Sequence, residues 1–183
     1  MSAKPAPVAD QPLDEFSNCH DGILQRLDDL DRLPALLEPA AQARRIAAEA
    51  TAFFSSVVFD HHAEEEKSLF PAVLASANAD EHATAKAIVD RLTREHRDVE
   101  SAFERLRPHL EAIARGHDTA LDAEALQALV AHYRGHARYE ESQFLPLAQR
   151  ILGRNGDHLA ALGADMHLRR VLPGVMEQFG HRI

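Results

Sequence analysis

Cysteine is almost absent from this chain. Cys19 stands alone, so no disulfide can form within these 183 residues and no covalent staple contributes to their stability. Tryptophan is missing and aromatics make up only 5%, which leaves a core to be built mainly from aliphatic side chains. Eight glycines and nine prolines are too few for a fold of many short strands and tight turns, and no period-two alternation of β-branched residues is sustained. No stretch approaches the roughly 18 apolar residues of a membrane span. The opening MSAKPAPVADQ lacks the apolar centre of a signal peptide. Positive charge is short as well: 20 Lys and Arg face 29 Asp and Glu, for a formal net charge of -9. Such a surface repels phosphate and argues against nucleic-acid or anionic-membrane partners. The expectation is a soluble, cytoplasmic protein.

What the chain does have is alanine and leucine in quantity, 45% hydrophobic residues and twelve histidines. The first two favour long helices around one core. Residues 1–11 read as a disordered tail. Apolar periodicity predicts a first helix over about 12–33, with Phe16, His20, Ile23, Leu24, Leu27 and Leu30 on one face and Pro34 ending or bending it. A second helix is expected from about Pro39 to Ser76. A third should start at an Asp80 N-cap and run to about Arg115, kinked or shortened by Pro108. A fourth should run from an Asp122 cap to Leu152, and a short fifth from Asp157 to about Leu172. The expected fold is all-α: an up-down-up-down four-helix bundle over 12–152 with a C-terminal helical extension over 153–183. The apolar tail residues, Met166 to Met176, would pack over the bundle. A monomer or weak homodimer is expected.

The functional signal lies in an internal repeat. HHAEEEKSLFP (61–71) and HARYEESQFLP (136–146) align with an offset of 75, which puts His61 on His136, Glu65 on Glu140 and Pro71 on Pro146. His20 and His96 repeat at 76. Two helical hairpins are implied, each carrying a His and then His-x-x-x-Glu. The repeat selects His61 and Glu65 over the equally spaced His62 and Glu66. It leaves His62, Glu64, Glu66 and Lys67 mostly to a solvated or partly solvated face.

Residues four apart share a helix face, so each His-Glu pair can converge. The flanking residues Phe54, Val57, Val58, Leu69, Leu129 and Phe144 are apolar, which places both pairs on core faces. A lone core histidine is more often a hydrogen-bonded packing residue than a ligand. Two duplicated pairs plus His20 and His96 are harder to assign to packing. A buried ionised glutamate without a partner is costly, and a metal removes that cost. Four imidazoles and two carboxylates (His20, His61, Glu65, His96, His136 and Glu140) suit two borderline transition metals bridged by the carboxylates. A structural zinc site needs only four ligands.

These motifs, together with Asn18-Cys19-His20-Asp21, Leu69-Phe70-Pro71, Glu95-His96 and Leu145-Pro146, resemble the hemerythrin-like (HHE cation-binding) family over roughly residues 12–150. The resemblance implies a four-helix bundle with a bridged non-haem di-iron centre. In it His20, His61, His96 and His136 would be terminal ligands, and Glu65 and Glu140 bridges. Two iron ions are the implied cofactors, with zinc or manganese as substitutes, and O2, NO or peroxide the implied partners. Hemerythrins proper carry a second histidine where this chain has Glu100. Glu100 would ligate in its stead, leave the place to water, or be an ion-pair residue beside Arg97 and Arg105. His132 is a further candidate ligand, and Tyr133 a hydrogen-bond donor to a bound ligand or a packing residue. The implied function is binding or sensing of a small ligand; the alternative is a di-iron peroxidase or oxidase, or an iron-donating repair protein.

Overall fold

The computed structural model describes residues 11–154, and side chains from His20 onward apart from Asp21. The predicted fifth helix and most of the predicted N-terminal tail lie outside these residues, although Gln11 is helical. All regular structure in the described residues is helical. The chain divides into two compact units, 1–44 and 45–183, and the division falls inside helix α1 (Gln11–Phe53). No described helix is long and apolar enough to cross a membrane.

In the first unit the break expected near Pro34 does not occur. Pro34 and Pro39 both lie within α1. Each proline removes one backbone hydrogen bond, from the carbonyls of Leu30 and Ala35. All four residues are exposed, so water can take the place of the missing donors. Ile23, Leu24, Leu27, Leu30, Leu33, Leu36 and Leu37 are exposed as well.

The second unit holds the core. After α1 the chain continues through a π turn (Phe54–Val58), α2 (Phe59–Glu64), a second π turn (Glu65–Leu69) and α3 (Phe70–Ser76). Next come α4 (Ala79–Ala114), α5 (Ala123–Tyr139), a third π turn (Glu140–Phe144) and α6 (Leu145–Leu152). The cap of α4 is Asn78, not Asp80. Its side chain accepts from the N–H groups of Asp80 and Glu81, while Glu81 reaches back to the Asn78 N–H in a capping box. An asparagine two residues earlier satisfies two orphan donors, so Asp80 is left inside the first turn. Pro108, on the exposed side of α4, does not stop the helix. The helix ends at a turn in which Gly116 takes φ 75°, a conformation that suits glycine. Asp122 caps α5 as expected, accepting from Ala125 N–H at 2.9 Å.

Two of the π turns mark the repeat. They begin at Glu65 and Glu140, and each is closed by a long-range N–H bond: Phe70 to the Glu65 carbonyl, Leu145 to the Glu140 carbonyl. Pro71 and Pro146 follow at once. A proline ring clashes with the carbonyl four residues back, and a widened turn moves that carbonyl away.

Two apolar layers fill the second unit. One gathers Leu69, Phe70, Val73, Ile88, Leu92, Phe144 and Ile151; the other gathers Val99, Phe103, Leu106, Leu110 and Leu129. On α4 the first layer ends at Leu92 and the second begins at Val99, with His96 between them. The buried polar residues of the described chain are His62, Glu65, His96, His136 and Glu140.

Candidate metal centre

Three helical stretches deliver these side chains. α2 and its π turn bring His61, His62 and Glu65; α4 brings His96; α5 and its π turn bring His136 and Glu140. Their donor atoms form two groups, His62–His96–His136 and His61–Glu65–Glu140. Within each group one atom per residue lies within 4.8 Å of the others. The His62 and His96 rings stack at 3.9 Å with 4° between planes, and His136 stands across both at 71–73°. Glu65 lies between the groups: one oxygen is 3.5 Å from His61 Nε2 and the other 3.2 Å from His96 Nε2. A Glu140 oxygen is 3.9 Å from both His61 Nε2 and His136 Nε2.

The three imidazoles of the first group share one hydrogen-bond plan. His62 Nδ1 meets Glu100 at 3.0 Å, His96 Nδ1 meets Glu66 at 2.8 Å and His136 Nδ1 meets Glu95 at 3.1 Å. A carboxylate can only accept, so each Nδ1 carries the proton and each Nε2 offers a lone pair. All three Nε2 atoms are buried without a hydrogen-bond partner, as are both Glu65 oxygens and His61 Nδ1.

The electrostatics favour neutral imidazoles. Burial, with His96 and His61 nearby, pushes His62 down to about 2. Burial also lowers His96 and His136 against the opposing pull of Glu66 and Glu95. His61 is the exception: burial lowers it, but Glu140 and Glu65 outweigh that and its pKa is raised. Burial and the neighbouring Glu140 carry Glu65 up to about 9. Burial raises Glu140, but the adjacent His61, with Glu65 and His136 near, outweighs it and holds the carboxyl at about 2. At neutral pH the two carboxyls therefore hold one proton between them. Burial, with Glu140 and Glu65 near, raises the Tyr133 phenol to about 12.

Of the six residues expected from the sequence, the structure brings five together: His61, Glu65, His96, His136 and Glu140. The sixth, His20, is an exposed residue of the first unit. His62, assigned from the sequence to a solvated face, is 1% exposed and part of the three-imidazole group. No spacing in the sequence reports this: Val58, one turn earlier, is equally buried, and the π turns on either side of α2 let consecutive histidines both face inward. Glu66, expected on a solvated or partly solvated face, is half-buried, with His96 Nδ1 against its carboxylate. Glu100 lies in neither group; it supports His62 and accepts from Arg97. His132 lies away from both groups, in an open groove of about 410 Å³ between α4 and α5.

The donor set fits transition metals. Neutral imidazoles whose far nitrogens are tied to carboxylates are the usual supported form of a histidine ligand. Six buried donor atoms with no protein partner are costly unless something else engages them. Imidazole with carboxylate favours iron, zinc or copper over magnesium or calcium. A family model described as the hemerythrin HHE cation-binding domain matches residues 11–148. Neither the curated proteins nor the solved structures yield a significant match.

Proposed function

The chain belongs to the hemerythrin HHE cation-binding family, and on that premise we propose that it holds two iron ions and uses them to bind or sense O2, NO or a related small redox ligand. One observation carries the proposal: Nε2 of His62, His96 and His136 and both Glu65 oxygens are buried and unpartnered. His62, His96 and His136 would hold one ion. His61, Glu65 and Glu140 would hold the other, with the two carboxylates shared between them. Iron bound there would supply one-electron redox chemistry and affinity for small diatomic ligands.

The remaining roles fall to the chain's own groups. The imidazoles of His62, His96 and His136 are kept neutral by burial and need lose no proton to ligate. Glu65 must release its proton, so loading should be easier at higher pH. Leu92, Phe70 and Phe144 on one side and Val99 and Phe103 on the other limit water. The Tyr133 ring lies 5.9 Å from His136 and 6.2 Å from His62, and its phenol stays protonated and able to donate. A ligand role for His20, and the closed four-helix bundle, rest on the sequence repeat and the family pattern alone. Zinc or manganese can compete for the same donors.

The test is elemental analysis and optical spectroscopy of protein grown with added iron and purified without chelators, followed by mixing the reduced form with O2 or NO. Two irons per chain and a spectrum that responds to either gas are expected. One zinc per chain, with iron never bound, would overturn the proposal. Sustained peroxide turnover with an added electron donor would favour the enzyme reading instead.

A further inference from the structure

Arg97 sits one residue beyond a candidate ligand, yet its side chain is 58% exposed. An exposed arginine with two surface ion pairs would ordinarily contribute little. The positions of its two acceptors change that. One guanidinium nitrogen, Nη2, donates to Glu66 Oε2. The other, Nη1, donates to Glu100 Oε2 at 3.0 Å. Each carboxylate turns its second oxygen inward, Glu66 Oε1 to His96 Nδ1 and Glu100 Oε1 to His62 Nδ1. The two imidazoles so addressed are the stacked pair, 3.9 Å apart and nearly parallel. Glu66 comes from the π turn after α2, and Arg97 and Glu100 from α4, so one planar group ties two helices to two rings.

We propose that Arg97 is a positioning residue for one half of the centre: it clamps Glu66 and Glu100, and through them fixes the tautomer and orientation of His96 and His62. The inference rests on the di-metal reading above. It is specific to that half. His136 is served by a separate chain, Glu95 held by Arg91 Nε at 2.7 Å, with Arg91 lying over the Tyr139 ring. His61 has no carboxylate on Nδ1 at all. Lysine cannot replace Arg97 in this role. Its ammonium is a single point charge, whereas the planar fork presents separate nitrogens to the two carboxylates. Without the fork, Glu66 and Glu100 are free to turn toward solvent, and the two Nδ1–H groups lose the acceptors that orient their rings.

The test titrates cobalt(II), read by its visible absorption, into full-length wild type, Arg97→Ala, Arg97→Lys and Arg94→Ala. Arg94 is an exposed arginine on the same helix and serves as control. In both Arg97 variants one ion should bind as in wild type. The other should bind ten- to a hundredfold more weakly, the range for loss of an outer support, with an altered visible spectrum. Arg94→Ala should match wild type. Should Arg97→Ala lose its helical circular dichroism, Arg97→Lys carries the same comparison, since it keeps the charge. Wild-type affinity and spectrum in Arg97→Lys, or equal weakening of both ions, would overturn the clamp. A wild type that binds fewer than two ions would overturn the di-metal reading and the clamp with it. Two ions in wild type with unchanged Arg97 variants would overturn the clamp alone.

Discussion

Replacing Glu65 with leucine should stabilise the metal-free protein while abolishing its stabilisation by iron. Glu65 is 1% exposed, and neither of its oxygens has a hydrogen-bond partner. Its pKa stands at about 9 against an ordinary 4.5. The folded metal-free chain therefore keeps a proton that the unfolded chain releases above pH 4.5. A raised carboxyl pKa of this kind makes folding less favourable as pH rises from about 4.5 to about 9. At pH 7, roughly 2.5 units above 4.5, the cost at ~1.4 kcal/mol per unit is ~3 kcal/mol. Leucine removes that term and introduces misfit of ~1–3 kcal/mol, since it is bulkier than glutamate. The net gain at pH 7 is thus about 0–2 kcal/mol, and it should widen by ~1.4 kcal/mol per pH unit toward pH 9. His61, raised in part by Glu65, adds to the slope in the same direction. The assay is urea unfolding of chelator-treated wild type and Glu65→Leu at pH 5, 6, 7 and 8, repeated with iron. A variant less stable than wild type at pH 7, or a difference that does not grow with pH, would refute the reasoning. So would equal stabilisation of both proteins by iron.

Three further outcomes follow from the same geometry. His61→Ala and His62→Ala should each lose at least one of two irons by elemental analysis; two irons retained in His62→Ala alone would restore the register read from the repeat. Phe103→Ala removes a fully buried ring stacked on Phe54 at 4.6 Å and set edge-on to Phe59 at 5.8 Å. It should cost ~3–5 kcal/mol in denaturant unfolding, and a cost below ~1 kcal/mol would show that this layer is not packed as described. His136→Ala leaves Glu95 without its imidazole but still held by Arg91, so it should reduce metal content with little loss of metal-free stability; a large drop in thermal midpoint without metal would count against it.

The sequence alone determined that the described chain is helical, because the 3.6-residue apolar pattern and the scarcity of glycine point one way. It also located the centre: the repeat of His-x-x-x-Glu before Pro71 and Pro146 marks two helix segments, and an apolar setting around paired ligands is visible without coordinates. Three things needed the tertiary structure. The chain stays helical through Pro34 and Pro39, since an exposed helix can surrender two hydrogen bonds to water. His62 faces inward beside His61, because π turns shift the register that a regular α-helix would impose, and no residue spacing reports that shift. The outer shell of Glu66, Glu95 and Glu100 with Arg91 and Arg97 reads in the sequence as an ordinary charged surface. Only the approach of α4 to the helix segment of residues 59–69 and to α5 turns those charges onto three buried imidazoles, since which partner a surface carboxylate meets is set by the neighbouring helix and not by its own.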